Sequence, residues 1–126
     1  MIGTKESEIE KILVEEVRKA GGRAPKWVSP GNVGVPDRIV FLPGRTQPLF
    51  IELKADTGRL SGPQKVWAAW LRNMQQHVRT VYGMRGLEEL FRELGMTDSA
   101  RRVRQTAERK GEPYRSPSEK EGGDGK

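Results

Sequence analysis

The feature that most limits how this chain can fold is the stretch from Gly34 to Lys54, GVPDRIVFLPGRTQPLFIELK. Its two apolar runs, 38–42 and 49–55, are joined by a six-residue Pro/Gly-bearing connection from Pro43 to Pro48, which predicts an antiparallel hairpin. In the second run Phe50, Glu52 and Lys54 share one strand face, while Leu49, Ile51 and Leu53 share the other. Apolar residues on both faces mark a central strand covered on both sides. The remaining elements must be arranged around it.

Those elements follow from periodicity. Residues 4–20 predict a helix with Thr4 as N-cap and Gly21-Gly22 as its stop, burying a stripe of Ile9, Ile12, Leu13, Val17 and Ala20. Residues 23–28 predict a short edge strand, because Pro25 lacks an N–H. The loop 29–36, SPGNVGVP, suits a segment near a ligand and equally a plain connector. Ser61 can cap a helix from 62 to about 76, with Trp67, Trp70, Leu71 and Met74 as its inward stripe and Gln64 opening that stripe as a polar residue. A strand over 78–82 and a helix over 86–94, with Leu87, Leu90, Phe91 and Leu94 inward, complete an α-β-β-β-α-β-α order. Residues 1–96 then form one domain. The segment 97–126 has only Ala100, Val103, Ala107 and Tyr114 as apolar members, and predicts a polar basic tail: an exposed helix over 98–110, then disorder.

Composition narrows the chemistry. The 126 residues contain no cysteine, which excludes disulfides and thiolate metal sites and fits an intracellular protein. No apolar run is long enough for a membrane span or a secretory leader, so the expected setting is intracellular. Net charge is +6. Between Asp37 and Arg85 eight Lys/Arg stand against three acids, Asp37, Glu52 and Asp56. A basic region around a small acidic centre suits a protein that draws in phosphates and holds a cation inside.

Glu52 and Lys54 lie near the end of a buried strand, where an ionised carboxylate is costly without a compensating charge. An isolated E-x-K is far more often a strand end whose charges neutralise one another. Asp37 changes the balance. If 38–42 pairs with 49–54, the entrance of the first strand meets the exit of the second, bringing two hard oxygen ligands together. His77 is the single histidine, so histidine-based chemistry has almost no material, and a surface position at a helix end suits it better. Trp67 and Trp70 stand at helical spacing, which favours core packing over base stacking. Arg38, Arg59, Lys65, Arg72 and Arg79 are candidate phosphate contacts, each equally readable as a solvated charge.

The pairing of PD at 36–37 with ELK at 52–54, behind a Glu-bearing helix, resembles the PD-(D/E)XK nuclease superfamily. The fuller string GVPDRIVFLPG, FIELK and LSGPQ is similar, over roughly residues 6–85, to the VRR-NUC family. That resemblance implies an α/β fold with a restriction endonuclease-like αβββαβ core, a mixed central sheet flanked by helices. It implies Asp37 and Glu52 as metal-binding acids, the Leu53 carbonyl as a further ligand, Lys54 as the motif lysine and Gln64 as the glutamine that orders the site. Glu10 is the helix-1 acid by its spacing to Leu13 and Val17, with Glu6 as the alternative. The expected activity is a Mg²⁺- or Mn²⁺-dependent DNA endonuclease, selective for branched DNA such as Holliday junctions and acting as a homodimer. A non-catalytic basic DNA-binding module and a sequence-specific restriction-type endonuclease are the competing readings.

Overall fold

In the computed structural model, which describes residues 4–111, the hairpin forms with a defined register. Strand β1 (Arg38–Val40) pairs antiparallel with β2 (Leu49–Lys54), setting Arg38 opposite Ile51 and Val40 opposite Leu49. On the other side of β2, β3 (His77–Tyr82) runs parallel to it, so β2 is the central strand of the order β1-β2-β3. A parallel pair needs a crossover. Helix α2 (Gly62–Asn73) supplies it.

The two faces of β2 are buried differently. Leu49, Ile51 and Leu53 sink into the main core, with Ile9, Leu13 and Val17 of α1 (Glu6–Lys19) and Met84, Leu87, Leu90 and Phe91 of α3 (Gly83–Glu93). On the opposite face Phe50 joins Val78, Ala68 and Leu71 in a smaller cluster with Trp27 and Trp67. The Trp27 ring lies 5.4 Å from Phe50 and 5.8 Å from Trp67. Helices thus cover both faces of a thin mixed sheet, which is the restriction endonuclease-like arrangement.

Two glycines make close approaches possible. A Cβ on Gly22 would stand 2.0 Å from the Phe41 carbonyl oxygen, where the end of α1 meets the β1 edge. Gly34, at φ +102°, would collide at 2.5 Å with the backbone of Pro63. That contact seats the loop before Asp37 on the first turn of α2.

Several expectations need correction. Thr4 does not cap α1: Lys5 is the N-cap residue with no side-chain bond, while Thr4 is buried and its hydroxyl has no partner among the described residues. Residues 23–28 do not form a full strand. Arg23–Phe41 and Lys26–Arg38 are isolated antiparallel bridges, and Pro25 accepts from Ile39 N without an N–H to return the bond. Trp70 and Met74 are half exposed, because the face of α2 turned to the sheet runs through Gln64, Trp67, Ala68 and Leu71. His77 opens β3 rather than closing a helix, and it is exposed, with its Nδ1 2.9 Å from Arg45.

The largest difference lies beyond residue 96. The helix expected over 98–110 is present as α4 (Thr97–Arg109), but it is not peripheral. Ala100, Val103 and Ala107 are essentially inaccessible and belong to the main core. Three small side chains at helical spacing cannot form a core alone, yet they let α4 approach the apolar wall that α3 already presents. Glu16 of α1 anchors the same helix, accepting from Ser99 Oγ at 2.7 Å and from Arg102 at 2.7 Å. The disorder expected over 111–126 falls, apart from Gly111, outside the described residues.

Candidate active site

Asp37 directly precedes β1, and the hairpin register carried one step further sets it across from Glu52. Its Oδ2 accepts a hydrogen bond from the Leu53 N–H at 2.8 Å, so its carboxylate sits across the exit of β2. The main-chain carbonyl of Asp37 accepts from Trp27 N at 3.0 Å, which fixes the strand entrance from the other side.

Glu52 is the most constrained group here. It is only 4% exposed, on the same strand face as Lys54, whose Nζ lies 3.6 Å from Oε2. Gln64 Nε2 donates to that same oxygen at 2.8 Å. The Gln64 amide is held in turn by α2's own N-terminus: its Oε1 accepts from Ser61 N at 2.8 Å, and Ser61 Oγ accepts from Gln64 N at 3.2 Å. This is a capping box, and the glutamine completing it spans from helix end to strand. One local helix signal therefore aims a side chain at Glu52.

The other Glu52 oxygen, Oε1, is buried with no hydrogen-bond partner among the described residues. Burial first, then the nearby charge of Asp37, push its carboxyl up to about 7, against the opposing pull of Lys54. Glu6 adds a smaller upward push. A buried acid with one oxygen unpartnered, beside a second acid, is a site short of positive charge.

The helix-1 acids divide in an unexpected way. Glu10 accepts from Arg38 Nε at 2.8 Å, and Arg38 also donates to the Ala24 carbonyl at 2.9 Å. The pair ties α1 to the start of β1. Glu6, exposed one turn earlier, is the helix-1 acid whose charge acts on Glu52. Among the described residues no three His, Cys, Asp or Glu side chains converge closely enough to hold a metal ion. The local donors are then Asp37, Glu52 and main-chain oxygens such as that of Leu53. Hard oxygens of this kind, with one buried carboxylate oxygen unfilled, fit Mg²⁺ or Mn²⁺, since Mg²⁺ binds through one or two carboxylates and keeps several waters.

Of the candidate phosphate contacts, Lys65 is exposed on the first turn of α2, next to Gln64, and Arg59 lies in the loop after β2. Arg72 belongs elsewhere. It lines a depression with Arg45, His77 and Arg79 at the opposite end of β2 and β3. Thr80 and Tyr82 escape sequence reasoning altogether. They are the in-register neighbours of Glu52 and Lys54 on β3, and only the parallel pairing of distant segments reveals it.

No family-level sequence profile matches the chain. A stretch of 51 residues is 59% identical to "Putative nuclease p44" of Acyrthosiphon pisum secondary endosymbiont phage 1, covering 40% of this chain and 54% of that protein. The match thus spans about half the length of the curated relative. Among solved structures, a VRR_NUC domain superposes with a TM-score of 0.56 at 28% identity, over 64% of this chain and 86% of that one. The chain is thus similar in fold to a VRR_NUC domain and, over 51 residues, in sequence to a nuclease-named phage protein, and its mixed sheet flanked by helices is a restriction endonuclease-like fold.

Proposed function

We propose that the protein is a divalent-metal-dependent DNA endonuclease hydrolysing phosphodiester bonds. The observation that carries this reading is the Glu52 carboxylate, buried across from Asp37 with one oxygen unpartnered and its proton held to about pH 7. Asp37, Glu52 and the Leu53 carbonyl would hold Mg²⁺ or Mn²⁺. When bound, such an ion supplies Lewis-acid polarisation of a phosphoryl oxygen and a lowered pKa for an attacking water.

The chain's own residues do the rest. Gln64 fixes the Glu52 carboxylate in one orientation, because its amide is tied at both ends. Lys54, mostly buried at the strand exit, presents an ammonium where negative charge would grow on a phosphorane. Leu53 N–H holds Asp37 Oδ2, leaving the second oxygen of that carboxylate for a cation. Lys65 and Arg59 draw the phosphate backbone toward this end of the sheet. The protein's substrates would be branched DNA such as a Holliday junction. The dyad of such a junction favours a homodimer.

The test is a panel of junction, flap, single-stranded and linear duplex DNA, incubated with Mg²⁺, Mn²⁺ or EDTA. Cleavage should need the cation and should vanish in Glu52→Gln and Asp37→Asn while DNA binding persists. Equal cleavage in EDTA, or undiminished cleavage by Glu52→Gln, would overturn the reading.

A further inference from the structure

The sheet face that carries Glu52 and Lys54 does not end at β2. Thr80 and Tyr82 continue it on β3, paired with those two residues, about 4.8 Å further across the sheet. They open onto a cleft of about 610 Å³, lined by Asp56 and Arg59 from the loop after β2 and by Arg85 and Glu89 from α3. The loop is seated on Lys54 itself: a Cβ on Gly58 would lie 3.3 Å from Lys54 Cβ. The cavity is therefore the immediate neighbour of the proposed hydrolytic site.

Its chemistry is unlike that of a phosphate site. Two guanidinium groups and two carboxylates line it, so it has no cationic surplus to offer a dianion. Donors and acceptors in balance match the edge of a nucleobase, which carries both. Tyr82 is 37% exposed and provides an aromatic face of the kind on which bases stack. Arg85 presents its guanidinium to the same space, with Nη1 3.5 Å from Glu89. The volume lies within the roughly 300–1,000 Å³ of small-ligand sites, room enough for a base and its sugar.

We propose that this cavity takes one unpaired nucleobase of the DNA strand, next to the phosphodiester presented at Glu52 and Lys54. The identity of the strand rests on the endonuclease reading above. A base stacked and paired in a duplex cannot enter such a cavity. The site therefore selects strands carrying an unpaired nucleotide beside the cleavage point, which gives structure selectivity a physical origin.

The experiment measures Kd of the full chain in EDTA for two DNA duplexes. One carries a single unpaired adenine, the other an abasic residue at the same position. Wild type should bind the unpaired base about tenfold more tightly, Tyr82→Phe should keep that ratio, and Tyr82→Leu should reduce it to about one. Arg85→Gln should also diminish it, with melting temperatures confirming that each variant is folded. A wild-type ratio near one, or no binding to either duplex, overturns the proposal, as does an undiminished ratio in folded Tyr82→Leu. A parallel cleavage assay separates the two readings. Tyr82-dependent discrimination without any cleavage leaves the cavity standing and removes the hydrolase; cleavage without discrimination removes only the cavity.

Discussion

Two buried glutamates, Glu16 and Glu52, are 6% and 4% exposed, yet their surroundings treat them oppositely. Burial alone would raise the Glu16 carboxyl, but the Arg102 guanidinium and the Ser99 hydroxyl outweigh it and hold it below the ordinary range. Around Glu52 the balance runs the other way, with Asp37 beside it, Lys54 at 3.6 Å and Oε1 left without a partner. Equal burial therefore says little about purpose. A carboxylate whose oxygens are satisfied fastens α1 to α4, whereas the one left short is the centre of the proposed cation site.

The sharpest way to break this contrast is to neutralise each acid in turn. Glu52→Gln should lower cleavage by a thousandfold or more, on the order of 4 kcal/mol in transition-state stabilisation, with no loss of melting temperature. Glu16→Gln should leave the cleavage chemistry intact but destabilise the fold by about 2 kcal/mol, because Arg102 and Ser99 lose a charged acceptor. Denaturant melts beside single-turnover cleavage of both variants decide it. If both fell equally in stability and in rate, the division between structural and functional acid would fail.

The two sites should also respond to pH with opposite sign. The folded state keeps the Glu52 proton up to about pH 7, whereas an unfolded glutamate releases it near 4.5. The folded state thus binds more protons in that window. Its contribution is fully present below pH 4.5 and lost as pH rises through 7, by roughly 3 kcal/mol. Glu16 contributes above the ordinary glutamate pKa, and its contribution is lost as pH falls through its depressed folded value. Stability profiles of wild type minus Glu52→Gln and of wild type minus Glu16→Gln, in EDTA, should slope in opposite directions. Parallel slopes would contradict the assignment.

A cation should erase half of the comparison. At pH 8, Mg²⁺ at one hundred times its Kd should stabilise the wild type by about 2.7 kcal/mol, with little effect on Glu52→Gln. Thermal shifts measured at pH 5 and pH 8 test this, and equal shifts in the two proteins would count against a site at Glu52. The smallest effect separates orientation from capping. Ser61→Ala should cost about 1 kcal/mol through the α2 cap, while Gln64→Ala should cost about as much and also slow cleavage. Equal rates in the two variants would reduce Gln64 to a capping residue.

Much of the site was legible because it is written in local patterns. The antiparallel register follows from two apolar runs and a short Pro/Gly-bearing connection, and that register alone sets Asp37 across from Glu52. The Ser61–Gln64 capping box is a spacing of three residues. The choice between Glu10 and Glu6 was not legible, since both border the apolar stripe of α1. What the structure adds is that Arg38, 28 residues beyond Glu10, reaches Glu10, while the charge of Glu6 acts on Glu52. Periodicity likewise favoured Trp70 as core, but which side of α2 meets the sheet is set by Phe50, Trp27 and Val78 from other segments.

The chain beyond residue 96 shows the same limit most clearly. Counting apolar residues rightly shows that α4 cannot sustain a core of its own. What composition does not carry is that α3 has apolar surface left over, on which Ala100, Val103 and Ala107 can close. The amino-acid sequence by itself determined the hairpin, the central strand, the pairing of Asp37 with Glu52 and the capped helix carrying Gln64, because each rests on spacing within one or two neighbouring segments. Only the tertiary structure decided that α4 is core, that Glu10 pairs with Arg38 and that Thr80, Tyr82 and Arg85 flank the Glu52 end of β2. Burial and parallel pairing are properties of surfaces brought together from far apart in the chain, and no single segment encodes its partner.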